Sequence, residues 1–101
     1  MEKRVYSIQE ISKLVEPIAK TYGADGLYVF GSYARGEATP DSDIDFRLEK
    51  GDIKDYFLLS AFQRELQEMF SIPIDVLTTG ALSKDLLDSI REEEIPVYES
   101  A

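Results

Sequence analysis

From Asp43 to Leu48 the chain alternates without exception, with Asp43, Asp45 and Arg47 at one parity and Ile44, Phe46 and Leu48 at the other. A β-strand turns successive side chains to opposite faces, so this segment has one apolar face and one charged face. Such a strand belongs in a sheet that is covered on one side only. The implied architecture is a two-layer α+β domain, a small mixed sheet with helices packed on its apolar face. With 101 residues, 44% of them hydrophobic, the chain fits one such domain over residues 1–101.

The flanking segments supply the other elements. Ser7-Ile8-Gln9-Glu10 has the form of a capping box, and Ile8, Ile11, Leu14 or Val15, Ile18 and Tyr22 recur at helical spacing. This predicts a helix from about Ser7 to Tyr22, bent or loosened at Pro17 and stopped by Gly23. Leu27 to Phe30 reads as a short strand that ends abruptly at Gly31-Ser32, and Tyr33-Ala34-Arg35 as one helical turn. A loop over Gly36–Ser42 leads into the alternating strand, about Asp43 to Glu49. Phe57, Leu58, Ala61, Phe62, Leu66, Met69 and Phe70 mark a second helix, with Phe57, Phe62, Met69 and Phe70 assigned to the core. A strand from Ile72 to Leu77, a helix carrying Leu82, Leu86, Leu87 and Ile90, and an edge strand at Pro96-Val97-Tyr98 complete the chain.

Composition excludes several chemistries. The chain has no Cys and no His, so disulfides, thiol nucleophiles, Cys/His zinc sites and histidine bases are absent. Catalysis must then rest on carboxylates, Lys, Arg, Tyr, hydroxyls or an oxygen-ligated metal, which favours Mg²⁺ or Mn²⁺. A net charge of −9 opposes the basic surface of a direct nucleic-acid binder. No apolar run is long enough to cross a membrane and the N-terminus lacks a signal-peptide pattern, so a cytoplasmic location is expected. The run Glu92-Glu93-Glu94 reads as a water-facing charge cluster.

The second acidic position lies downstream. Between Ile72 and Leu77 the apolar residues Ile72, Ile74 and Val76 alternate with Pro73, Asp75 and Leu77, which leaves one carboxylate in an otherwise apolar stretch. If the two strands are neighbours, Asp43, Asp45 and Asp75 meet on one face. Their mutual repulsion makes little structural sense unless a divalent cation offsets it. Two Mg²⁺ ions in such a site stabilise both the attacking and the leaving oxygen of a displacement at phosphorus. Asp43 and Asp45 are the shared ligands, and Asp75 completes a metal site near the acceptor hydroxyl, whose proton it helps remove. Gly31 and Ser32 offer backbone N–H groups and a hydroxyl to nucleotide phosphates. Arg35 either reaches the phosphate or pairs with a carboxylate. Ser42 either braces its loop or joins the nucleotide-binding set.

Taken together, Gly31-Ser32, ten intervening residues, Asp43-Ile44-Asp45 and the downstream Asp75 resemble the signature of the DNA polymerase β nucleotidyltransferase superfamily. The fuller string GSYARGEATPDSDID is similar to its minimal nucleotidyltransferase (MNT) branch. The resemblance implies transfer of a nucleoside monophosphate, AMP from ATP foremost, onto an acceptor hydroxyl. It also implies a HEPN-domain toxin as partner, adenylylated on a tyrosine, with this chain as the antitoxin. Two other readings stay open: a non-catalytic antitoxin that neutralises its partner by docking, and nucleotidyl transfer to a small molecule or RNA. The last ranks lower, because the chain has no evident acceptor domain and no basic stripe. A homo-oligomer is compatible with the sequence.

Overall fold

The expected capping box is formed at the start of the first helix. The Ser7 hydroxyl accepts from the Glu10 N–H at 3.0 Å, and the Ser7 N–H donates to Glu10 Oε1 at 3.0 Å. In the computed structural model, which describes residues 3–101, this helix is α1 (Ile8–Tyr22). It continues unbroken through the exposed Pro17, and Gly23 ends it in the left-handed conformation at φ 71°. There follow β1 (Gly26–Phe30), β2 (Ile44–Glu49), α2 (Tyr56–Glu68), β3 (Ile74–Thr78), a 3₁₀ turn (Thr79–Ala81), α3 (Lys84–Glu93) and β4 (Ile95–Glu99).

The four strands form one mixed sheet in the order β3-β2-β1-β4. β1 runs antiparallel to both of its neighbours, whereas β2 and β3 are parallel and are joined through α2. Pro96 has no N–H for a ladder, and it stands in the edge strand β4 where the register slips between Leu27 and Tyr28. Ile44, Phe46 and Leu48 of β2 are fully buried with Leu27 and Val29 of β1, so the apolar parity does form the core face. α1 closes over this face with Ile11, Val15 and Ala19, and α2 with Phe62 and Leu66. Tyr22 and Phe62 pack edge to face across the two helices at 5.6 Å between ring centres.

Two residues assigned to the core lie outside it. Phe57 is 88% exposed and Met69 43% exposed. The inward stripe of α2 is set by Phe62 and Leu66 and continues in Phe70. Phe57, five residues before Phe62, is rotated from it by about 140° at 3.6 residues per turn. Apolar character alone does not report helical phase.

α3 behaves differently from α1 and α2. Of its residues only Ile90 is buried. The chain must cross from the β3 edge of the sheet to the β4 edge, and the C-terminal end of α3 reaches the charged face of β2, where Glu94 meets Arg47.

These placements predict unequal costs for two phenylalanines of one helix. In urea denaturation, Phe62→Ala should lower stability by about 3–5 kcal/mol through lost burial and a residual cavity. Phe57→Ala should change it by no more than about 0.5 kcal/mol.

Candidate active site

The parallel ladder pairs Ile44 with Ile74 and Asp45 with Asp75. Equal parity puts both carboxylates on the face away from the core, side by side on adjacent strands. Asp43 stands just before β2, and it and Asp75 are exposed while Asp45 is half-buried. Burial raises the Asp45 pKa above the usual carboxylate value, and the charges of Asp75 and Asp43 raise it further, with Arg35 opposing. Asp45 thus senses both of the other carboxylates.

Among the described residues no three acidic side chains close into a ready-made ion cage. The triad is an open acidic face. That geometry suits a divalent cation that retains waters and draws oxygen ligands from one or two carboxylates and from substrate phosphates. The excess negative charge on Asp45 is the local feature that a divalent cation would relieve.

The Gly31 corner adjoins this face because Phe30 pairs with Asp45 across β1 and β2. Gly31 has φ 73°, and a Cβ at this position would collide with Asp45 Oδ2. Glycine is therefore required twice, for the backbone conformation and for the approach of the carboxylate. The expected turn follows, closed by Arg35 N–H to Gly31 O at 3.1 Å and Glu37 N–H to Ser32 O at 2.9 Å. Tyr33 points into the core at 5% exposure, and its hydroxyl accepts from the Tyr6 N–H at 3.4 Å.

Ser42 is set apart from the others. Its hydroxyl oxygen accepts from the Thr39 N–H at 2.9 Å, so it braces the loop before β2. Arg35 pairs with carboxylates: Nε donates to Glu37 Oε1 at 2.9 Å and Nη1 to Glu93 Oε2 at 3.1 Å. The structure therefore gathers Gly31, Ser32, Arg35, Asp43, Asp45 and Asp75 at one end of the β1–β2–β3 surface. A cavity of about 340 Å³ opens beside Asp75, between Gln63, Arg64 and Gln67 of α2 and the β3 edge.

Two residues of the presumed water-facing acidic run belong to this face instead. Glu93 Oε2 accepts from the Gly31 N–H at 2.6 Å. Glu94 takes a bidentate pair from Arg47, Nε to Oε1 and Nη2 to Oε2, both at 2.8 Å. Arg47 is almost fully buried, bonds Thr79 Oγ1 at 2.8 Å through Nη1, and lies 4.3 Å from the Tyr28 ring centre. Hydrogen bonds to Glu94 and Glu49 hold the guanidinium pKa above its ordinary value, against the opposing effect of burial. One sequence signal pointed this way: Arg47 is a cation at the parity of two aspartates, and a buried cation must find a carboxylate. Glu92 is exposed, Glu93 stays partly open to water and Glu94 is largely enclosed.

Comparison with known proteins decides the family. The model of the nucleotidyltransferase domain matches residues 11–98. The chain belongs to the nucleotidyltransferase family. A candidate protein adenylyltransferase of Methanocaldococcus jannaschii is 36% identical over 91 residues, covering 90% of this chain and 98% of the relative. The protein adenylyltransferase MntA of Thermococcus cleftensis is 23% identical over 95 residues, covering 90% and 96%. Among solved structures, a candidate minimal nucleotidyltransferase superposes with TM-score 0.77 at 24% identity, over 90% of this chain and 96% of that one. A toxin–antitoxin complex with AMP-PNP gives 0.74 at 18%, over 88% and 73%. The Shewanella oneidensis complex of a tri-AMPylated HEPN toxin with its MNT antitoxin gives 0.68 at 16%, over 92% and 73%. At these identities the structural likeness speaks for the fold, and the expected nucleotidyltransferase architecture is the one observed. Among the described residues no helix is long and apolar enough to cross a membrane.

The electrostatics of this nucleotidyltransferase face can be read in its stability. A raised folded-state pKa means that ionised Asp45 opposes folding. The penalty is absent below the unfolded-state value of about 3.9, grows as pH rises from there to the folded-state value, and is complete at neutral pH. In thermal melts Asp45→Asn should therefore raise Tm by a few degrees at pH 7.5, with the gain vanishing toward about pH 4. Added Mg²⁺ should raise the Tm of the unsubstituted chain more than that of the variant.

Proposed function

We propose that this chain is a protein adenylyltransferase that moves AMP from ATP onto a tyrosine hydroxyl of a HEPN-domain toxin, and so acts as the antitoxin of the pair. The observation that carries the reading is the meeting of Asp43, Asp45 and Asp75 on one face beside the Gly31–Ser32 corner. The near full-length likeness to candidate protein adenylyltransferases supports it, as does the fold shared with MNT antitoxins in complex with HEPN toxins.

Each residue has a role that follows from its place. The Gly31 N–H and the Ser32 hydroxyl bind phosphate oxygens, and the glycine keeps the backbone close to them. Asp43 and Asp45 would hold divalent cations, two Mg²⁺ by the logic of in-line displacement, with Mn²⁺ able to substitute; Asp75 would complete the set. Such cations supply charge neutralisation and polarisation of the phosphate oxygens. Asp75 borders the cavity at the β3 edge, where an acceptor side chain can enter, and it takes the proton of the attacking hydroxyl. The acceptor oxygen forms a bond to the α-phosphorus, the bond from that phosphorus to the bridging oxygen breaks, and pyrophosphate leaves. Arg35, beside the corner, is within the same turn and can exchange a carboxylate for a phosphate oxygen. Ser42 contributes indirectly by bracing the loop that delivers Asp43.

The test combines the chain, Mg²⁺, ATP and a HEPN-domain protein from the same organism, the product of the neighbouring gene being the first choice, with mass spectrometry of the product. An added AMP on a tyrosine of the HEPN protein is expected, falling to background with Asp43→Asn and Asp45→Asn together. No adduct with any NTP, and undiminished protection of cells by the doubly substituted chain, would favour inhibition by docking alone.

A further inference from the structure

The phosphate-facing side of the corner is already engaged by a side chain of the same molecule. Glu93 Oε2 accepts from the Gly31 N–H at 2.6 Å, and Arg35 Nη1 reaches Glu93 Oε2 at 3.1 Å and Oε1 at 3.3 Å. A carboxylate resembles a phosphate oxygen pair in charge and in acceptor geometry. Burial does not explain why Glu93 stands here, because its side chain remains 31% exposed. Nor does local charge favour it, since its negative charge adds to those already raising the Asp45 pKa. The donors that hold it are the Gly31 N–H and the Arg35 guanidinium.

We propose that Glu93 is an internal competitor of the nucleotide: its carboxylate occupies the phosphate cradle of the resting chain and must swing out when a nucleoside triphosphate binds. This rests on the nucleotide-site reading above and adds its regulation. One N–H directed at a carboxylate at 2.6 Å has no capacity left for a phosphate oxygen, so the two acceptors exclude each other. The backbone need not follow the side chain. Glu94, the next residue, is anchored by its bidentate pair with the buried Arg47, so the end of α3 stays in place while Glu93 changes rotamer. Arg35 is freed by the same movement and keeps its bond to Glu37 until a phosphate takes its place. The exchange makes binding selective for ligands that bring anionic oxygens such as those of a phosphate, because only these replace what Glu93 supplies to Gly31 and Arg35.

Isothermal titration calorimetry with α,β-methylene-ATP and Mg²⁺, whose α–β linkage resists transfer, measures the competition directly. Glu93→Ala should bind the analogue roughly tenfold more tightly than the unsubstituted chain, the scale of one charge-assisted hydrogen bond. Glu93→Gln should lie between, since its amide oxygen still accepts from Gly31 but carries no charge for Arg35. It also reports the effect should the alanine variant fold poorly. Glu92→Ala, at an exposed position without a partner in the site, should match the unsubstituted chain. Equal or weaker binding by both Glu93 variants, with the unsubstituted chain binding normally, overturns the competition and leaves the nucleotide site standing. Absence of binding by every version overturns both.

Discussion

Parallel pairing of β2 with β3 is the constraint on which the molecule depends. It sets Ile44 and Phe46 beside Ile74 and Val76 on the face toward the helices, and Asp45 beside Asp75 on the other. A slip of one residue would carry Asp75 to the core face and expose an isoleucine or valine in its place, so the apolar face enforces the register. The acidic face inherits its alignment from that choice. Core and candidate site are the two sides of one ladder, and neither can be moved without the other.

An acidic face on a chain with a net charge of −9 needs internal counter-charges, and two arginines provide them. Arg47 lies buried beneath Glu94 and Glu49, and Arg35 stands at the surface between Glu37 and Glu93. Removing one partner of a buried, hydrogen-bonded pair such as Arg47–Glu94 costs about 3–5 kcal/mol, whereas a surface pair contributes about 1 kcal/mol or less. Two neighbours in the same acidic run therefore differ in kind. Glu94 fixes the end of α3 by a strong buried pair, and Glu93 makes exposed contacts that a competing anion can replace. α3 buries little apolar surface, so these charges, more than packing, hold its C-terminal end on the sheet.

Much of this was legible from the residues alone. The capping box at Ser7 and Glu10, the stop at Gly23, the strand parity of Asp43 to Leu48 and the corner at Gly31 each depend on a few neighbouring residues, and each is present as read. The loop before β2 was also readable, and Ser42 braces it as turn chemistry suggests. Less legible was the phase of α2, because Phe57, Phe62, Met69 and Phe70 are equally apolar while only Phe62 and Phe70 face inward. Harder still was the acidic run Glu92-Glu93-Glu94. Three identical residues in a row carry no internal sign of which one faces solvent, which one caps the Gly31 N–H and which one neutralises Arg47.

The sequence by itself determined the elements, the two-sided character of β2, the spacing of the Gly-Ser corner and the three aspartates, and the family to which the pattern belongs. Those properties follow from backbone geometry and side-chain chemistry within short segments, where covalent connection fixes the spacing. Only the tertiary structure decided which charges meet. Glu93 and Gly31 are 62 residues apart and Glu94 and Arg47 are 47 apart. Their contacts exist because strand order carries the chain from one edge of the sheet to the other, and Coulomb energy depends on distance in space, which chain position does not encode.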